Sequence, residues 1–501
     1  MEPDTIFWSL YAFYLCSSAW DVYLSVRQFA LYRRTTARPA SVEAIISESD
    51  FDKARAYQLD KMHFAFITDA FNFVLYSIVF LCTLYPSIWT FCSGIALWVW
   101  PGSGEIWHSV VFVLLCSIAE TAISLPFSYY STFYIEQRYG FNKETIPFFF
   151  KDRALKLGVS LALSTPVVAL LIWIIRHGGE NFHIYAWAAL SVIIFVMMFI
   201  YPEFIAPLFD KYTPLPDSEL KRKIEALASQ VEFPLAKLYV VENSKRSTHS
   251  NAYMYGFWKN KRYCVCGVFD TLLSKEMNEL MKQSEEEGKS EHKKAEEKTE
   301  NEVEHGDDET TNDANNLEEK QPLLNTDEEK DDGKNVTAEE KERRIGMDDD
   351  EVVAVLGHEL GHWKLCHSMA LLAITEFNLL FTLFVFSVFY QQESLFTAFG
   401  FPPAEQQQQQ PILIGLLLIG QFVMAPYTEF LSLAINVFTR KFEFAADRFS
   451  ATLGHAPKLC SGLIKLGKDN LSLPIDDWLY SWCNHSHPPT PERMEALKKF
   501  E

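Results

Sequence analysis

The sequence predicts a mainly α-helical, polytopic membrane protein: about seven transmembrane helices, with a soluble portion that carries a small β-sheet. Three observations support this: apolar runs of bilayer length, connecting segments that alternate between basic and base-free, and acidic charge gathered in one stretch. The runs are Ile6 to Ser25, Phe64 to Tyr85, Ile106 to Phe127, Leu155 to Ile175, Ile184 to Leu208, Met369 to Tyr390 and Ile412 to Phe438. Each approaches or exceeds the roughly 20 residues a helix needs to cross hydrocarbon. An eighth, Ile88 to Trp100, is shorter and ends at Pro101-Gly102, so it reads as interfacial.

The connecting segments give an orientation. Arg27, Arg33, Arg34, Arg38, Lys53, Arg55 and Lys61 follow the first run, whereas Pro86 to Glu105 holds no Lys or Arg. Arg138, Lys143, Lys151 and Arg153 follow the third run, only Arg176 the fourth, and Gln391 to Gln410 again has no basic residue. Basic loops stay cytosolic. The expectation is a lumenal N-terminus, seven crossings, cytosolic loops at 26–63 and 128–154, and a cytosolic C-terminus. Met1-Glu2-Pro3-Asp4 lacks the basic start of a cleavable signal, so the first helix should remain as an anchor. The ending Lys498-Lys499-Phe500-Glu501 fits the dilysine pattern of endoplasmic reticulum retrieval.

The order of regions follows. Residues 1–208 hold helices one to five, and 209–283 a cytosolic region with strands. An acidic insertion covers 284–346, a metal-binding helix 347–367, helices six and seven 368–438, and a C-terminal cytosolic region 439–501. The formal charge of −20 is misleading as an average, because Ser284 to Gly346 holds 23 acidic against 10 basic residues. That stretch has almost no aromatic or β-branched content and should be disordered. Nothing suits a nucleic-acid partner; the lipid bilayer is the expected one. The nine cysteines show no paired framework. Cys16, Cys82, Cys92 and Cys116 lie in apolar runs as small hydrophobes, and Cys264 and Cys266 suit alternate strand positions.

The chemistry is concentrated in His358-Glu359-Leu360-Gly361-His362. On a helix, residues four apart share a face, so both histidines can hold one metal ion. Glu359 is then near enough to take a proton from a metal-activated water. Glu351 to Gly357 leads in with helix formers, and Asp348, Asp349 and Asp350 suit a helix N-terminus. The plain alternative is a helix with two surface histidines. A hydrolytic zinc site needs a third protein ligand and one open position. A downstream carboxylate is the natural choice. Glu376 and Glu429 lie inside predicted membrane helices, while Glu443 lies just past the last one, with Asp447 four residues on along the same face. Spacing alone leaves Glu443 and Asp447 equally readable as a solvated charged face.

The motifs together resemble the type I CaaX prenyl proteases, zinc metalloproteases of the endoplasmic reticulum and inner nuclear membrane. The resemblance rests on His358-Glu359-Leu360-Gly361-His362-Trp363-Lys364, Glu443-x-x-x-Asp447, Ser250-Asn251-Ala252-Tyr253-Met254-Tyr255-Gly256, Tyr139-Gly140-Phe141-Asn142 and His487-Pro488-Pro489. It covers nearly the whole chain. It implies one zinc ion per chain on His358, His362 and Glu443, with Glu359 as general base and Asp447 orienting a ligating histidine. It further implies that His487 and Arg493 hold the charged intermediate, that Asn251 and Ala252 lie on a strand receiving extended substrate, and that the helices enclose a chamber. The chain departs from the expected pattern at Cys366, where glycine is common, and in its acidic insertion.

The resemblance implies prenylated protein C-termini as substrates, cut to remove the last three residues, with a second upstream cut in some. Position argues the same way. Only a few residues separate His362 from a membrane helix starting at about Met369, and each adds about 1.5 Å, so the metal lies at the bilayer boundary. A prenyl-cysteine reaches such a site and a soluble peptide does so poorly. Membrane quality control on clients without lipid would use the same chemistry. A transporter or receptor with an accidental HExxH would leave the other motifs unexplained.

Overall fold

The computed structural model describes residues 2–242, 249, 252–255, 265–284, 286, 346–403 and 410–500. Asn251 and the Lys259-Asn260-Lys261 turn lie outside the described residues. So does the predicted acidic insertion, apart from Ser284, Glu286 and Gly346.

Six long helices come first: α1 Pro3–Arg34, α2 Glu48–Leu81, α3 Leu84–Val99, α4 Glu105–Tyr130, α5 Ile146–His177 and α6 Phe182–Ile200. Strand β1 (Lys211–Pro214), helix α7 (Glu219–Gln230) and strands β2 (Lys237–Glu242), β3 (Ala252–Tyr255) and β4 (Val265–Phe269) follow. The chain then returns to helices: α8 Asp349–Lys364, α9 His367–Phe389, α10 Ile412–Leu418 and α11 Ala425–Ser450. Last come α12 Ala456–Asp469, α13 Trp478–Asn484 and α14 Thr490–Leu497.

Among the described residues, five helical stretches are long and apolar enough to span a bilayer: Glu48–Leu81, Glu105–Glu136, Ile146–His177, Gly179–Leu208 and His367–Phe389. The run read as one span from Ile412 to Phe438 is a bent pair of helices, turned by 59° where α11 begins. Pro426 explains the break, since it lacks an N–H and its ring clashes with the preceding turn. Helix α1 has the length, 32 residues, but its Trp, Tyr and Ser content and Asp21 make it less apolar than the others. Helix α3, which covers the run read as interfacial, has 16 residues and is about 24 Å long, less than the hydrocarbon thickness.

Packing is concentrated at the two ends of the helical bundle. At one end a core joins Phe80 of α2, Phe112 of α4, Ile172 and Ile175 of α5, Phe182 of α6, Phe386 of α9 and Ile414 of α10. At the other, Tyr32 of α1, Phe51 and Tyr57 of α2, Ile135, Phe141, and Leu459 and Leu463 of α12 form a second. The helices therefore run alternately up and down, and the start of α1 lies at the end away from α12. Between the ends, only 6% to 17% of the residues in the apolar windows of the five spans are buried. So little burial in so apolar a bundle fits helices whose surfaces face lipid. Intramembrane carboxylates find polar partners there: Ser17 donates to Glu429 at 2.8 Å, and Trp187 Nε1 donates to Glu376 at 3.1 Å.

The soluble portion has its own core of α7, β2, β4 and α8, including Leu220, Ile224, Leu227, Val240, Val268, Val352 and Leu356. Its sheet has the order β1-β2-β4-β3, with β2 and β4 parallel and the other pairs antiparallel. Strand β3 pairs with β4 from Ala252 opposite Val268 to Tyr255 opposite Val265, and among the described strands it has only this one neighbour.

Candidate metal centre

Helix α8 starts where its charges favour it. Asp348 caps the helix by accepting from the Glu351 N–H at 2.8 Å, and the Glu351 carboxylate accepts from the Asp348 N–H at 2.8 Å. Asp349, Asp350 and Glu351 place negative charge at the positive end of the helix dipole. Glu351 is buried, so it needs a countercharge; Lys465 of α12 supplies one at 2.6 Å.

Two glycines of α8 set how close helix α11, which carries Glu443, can come. A Cβ at Gly361 would lie 3.1 Å from the Ala446 Cα, and one at Gly357 would lie 2.9 Å from the Ser450 Oγ. The Ser450 hydroxyl donates to the Ala354 carbonyl at 2.9 Å across the same crossing. This contact brings Glu443 of α11 to the histidine pair of α8. One ligand atom each from His358, His362 and Glu443 all lie within 4.8 Å of one another. The two imidazole Nε2 atoms are 3.1 Å apart, and Glu443 approaches them at 3.5 and 3.3 Å.

Around the cluster, Asp447 accepts from His358 Nδ1 at 2.8 Å, which turns the Nε2 lone pair inward. Arg493 of α14 clamps the same carboxylate with two bonds of 2.8 and 2.7 Å, leaving its third nitrogen 3.5 Å from Glu443. His487 Nε2 reaches Glu443 at 3.4 Å from a side chain that is 68% exposed. Thus six sequence-predicted residues meet in one place: His358, His362, Glu443, Asp447, Arg493 and His487. Glu359 lies half-buried among their charges, and Ala252 opens edge strand β3, which packs beside α8.

The electrostatics suit a cation. Burial opposes charge on His358, yet hydrogen bonds to Asp447 and Glu443 push its pKa up to about 9. Burial likewise opposes ionisation of Glu443, but bonds from His358 and His362 hold it well below the ordinary carboxylate range. Burial pushes Glu359 up, with His358 and His362 pulling the other way. Two observations test whether the residues fit a metal. Glu443 Oε2 is buried with no well-aligned hydrogen bond among the described residues, its nearest donors standing 3.5 Å away, and the two imidazole Nε2 atoms converge 3.1 Å apart beside the same carboxylate. A dication between two neutral imidazoles and one carboxylate satisfies all three at once.

Two positioning side chains were not picked out in the sequence. His367 contacts His362, Nδ1 to Nδ1, at 3.0 Å. His249, just before β3, stacks on Phe141 at 4.1 Å and lies 3.5 Å from Glu136. That contact gives the Tyr139-Gly140-Phe141-Asn142 motif a place, seating the chain before β3 on the membrane helices. Gly140, at φ 75°, makes the turn that buries Phe141.

A helical bundle with this cluster at one end defines a membrane-embedded metalloendopeptidase. Comparison with known proteins agrees and is more specific. Residues 28–211 match the CAAX prenyl protease N-terminal region, with five membrane helices, and residues 214–501 match Peptidase family M48. The CAAX prenyl protease 1 homolog of Caenorhabditis elegans is 42% identical over 501 residues, covering 100% of this chain and 99% of that protein. Those of Mus musculus and Homo sapiens are 43% and 41% identical, covering 96% of this chain and 92% and 93% of their own lengths. The crystal structure of S. mikatae Ste24p matches with a TM-score of 0.78 and 28% identity, covering 99% of each chain. The chain belongs to the type I CaaX prenyl proteases of the M48 peptidase family.

Proposed function

We propose that the chain is a zinc endopeptidase that removes the C-terminal tripeptide from prenylated CaaX proteins, with a second, upstream cut in some of them. The convergence of His358, His362 and Glu443 supports this most directly, since it lies only five residues before a membrane-spanning helix starts at His367. At about 1.5 Å per residue, a substrate held in the bilayer meets the cluster without leaving the membrane boundary. On this reading the protein sits in the endoplasmic reticulum membrane and the inner nuclear membrane, with the N-terminus lumenal and the C-terminus cytosolic.

His358, His362 and Glu443 would hold the zinc, which when bound supplies Lewis acidity and a water more easily deprotonated at neutral pH. Glu359, with a pKa raised by burial, is a base suited to taking the proton of the attacking water. The water oxygen adds to the scissile carbonyl, the C–N bond breaks, and Glu359 returns the proton to the leaving amine. Arg493 and His487 flank Glu443 and would hold the oxyanion as charge develops. Asp447 keeps Arg493 and His358 in register. The extended peptide would add to β3 at Asn251 and Ala252 through backbone hydrogen bonds.

The test is hydrolysis of a farnesylated CaaX peptide by purified protein, with Glu359→Ala and a chelator as controls. Tripeptide release by wild type, lost in both controls, is expected. Cleavage of the unfarnesylated peptide at the same rate would overturn the substrate assignment and favour quality control. A protein that retains zinc but cleaves neither peptide would overturn the reading altogether.

A further inference from the structure

The two metal-facing histidines are held differently. His358 leans on a carboxylate, Asp447, at 2.8 Å. His362 has another imidazole beside it: its Nδ1 is 3.0 Å from Nδ1 of His367. His367 is buried, and its ring lies flat on Phe442, with centroids 4.2 Å apart and planes 11° apart. Phe442 immediately precedes Glu443. The backbone brings His367 into place through a turn at Cys366, at φ 58° and ψ 30°, which stops α8 and starts α9. A continuous helix would carry residue 367 about 140° round from residue 362, away from its ring.

We propose that His367 is the positioning residue for His362, fixing its tautomer and ring orientation. To ligate through Nε2, His362 must keep its proton on Nδ1, so Nδ1–H donates and His367 Nδ1 accepts. That makes His367 a neutral acceptor, protonated on Nε2. The Phe442 stack fixes the acceptor relative to Glu443, so one buried ring ties the second histidine to the carboxylate ligand. The partners also set the charge: one imidazole is backed by an anion and the other by a neutral ring, which limits the negative charge around the metal. An outer partner that orients a ligating histidine typically contributes roughly 10–100-fold in metal affinity.

The inference rests on the zinc reading above, and its test uses metal affinity as well as turnover. Zinc retention would be measured by chelator titration of the full chain for wild type, His367→Phe, His367→Asn and His367→Ala. Phe keeps the stack and removes the acceptor, whereas Asn places an oxygen near Nδ1 and removes the stack. A roughly 10–100-fold weaker hold on zinc in His367→Phe, with His367→Asn within a few-fold of wild type, is expected. The split should be mirrored in kcat with little change in KM. Wild-type affinity in His367→Phe, or equal losses in Phe and Asn, would overturn the proposal. If His367→Phe does not fold, His367→Ala with added imidazole decides. Recovery of zinc affinity supports the missing acceptor and no recovery refutes it. A wild type that holds no zinc would instead refute the zinc reading.

Discussion

The perturbation Gly361→Ala adds one methyl group at the point where the two helices that carry the proposed ligands cross. Its Cβ would lie 3.1 Å from the Ala446 Cα and from the Phe449 Cβ, and 3.2 Å from the Ala446 carbonyl oxygen. Carbon contacts are most favourable at about 3.5–4.0 Å, and two of these three neighbours are backbone atoms that cannot rotate away. Helices α8 and α11 must therefore separate by roughly 0.3–0.5 Å. Ala gains about 1 kcal/mol over Gly within a helix, while overpacking costs about 1–3 kcal/mol, so the net runs from about zero to a loss of about 2 kcal/mol. The metal site tolerates less, because ligand distances outside about ±0.2 Å of their ideal values are poorly held. His358 and His362 ride on one helix and Glu443 on the other, so the separation falls on the ligand set. Chelator titration should show at least a tenfold loss of zinc affinity, with kcat/KM falling at least as far. The control is Gly467→Ala on α12, where a Cβ meets nothing within 4 Å; it should keep full activity and stabilise by about 0.5–1 kcal/mol. If Gly361→Ala holds zinc like wild type and cleaves at more than half its rate, the close crossing does not set the site.

Three further outcomes are expected. Cys366→Gly should raise the thermal midpoint, because the left-handed conformation costs a side-chain-bearing residue about 1–2 kcal/mol; glycine's extra unfolded-state freedom offsets part of this, leaving a gain of at most about 1 kcal/mol. An unchanged or lower midpoint, measured by thermal unfolding in detergent, would count against strain at that turn. Asp447→Ala removes both bonds that clamp the buried Arg493, leaving it only Glu443 at 3.5 Å, and should cost about 3–5 kcal/mol by the same measurement, whereas a loss below about 1 kcal/mol would mean the pair is not desolvated. Asp476 is raised by burial from 3.8 to about 6, so its charged form is disfavoured in the fold. Its penalty is absent below about pH 4, grows as pH rises through the interval, and is full above about pH 6, where Asp476→Asn should stabilise by on the order of 1–3 kcal/mol. Equal stabilisation at pH 4 and pH 7 would refute that account.

The parts legible in the sequence were those fixed by local spacing. Four-residue spacing put His358 and His362 on one helix face, and the acidic triplet at Asp348 marked where that helix begins. Bilayer-length apolar runs marked the membrane helices because lipid leaves the backbone little choice but a helix. What escaped depends on breaks and on distant contacts. The bend at Pro426 had a visible signal in the proline itself, yet composition reads straight through it. His367 escaped because it is five residues from His362, off any helical face, and only the turn at Cys366 returns it. His249 escaped because its partners Glu136, Phe141 and Asn470 come from two remote segments. Gly361 was visible only as part of a pattern. The reason for a glycine there is the backbone of Ala446, 85 positions later in the chain.

The turn at Cys366 connects metal binding to the membrane. It follows the end of α8 at Lys364 by two residues and starts a spanning helix at His367, so the proposed ligands cannot move far from the bilayer without unwinding α9. Glu443 is similarly constrained from the other side, because α11 carries it out of the bent pair that begins at Ile412. Both halves of the proposed ligand set therefore hang directly from membrane helices, and the Gly361 crossing locks the two supports together. A soluble protease could place the same three ligands on freely exposed helices. A peptide presented at the membrane boundary would meet this cluster directly, which is the physical ground for proposing a lipid-anchored substrate.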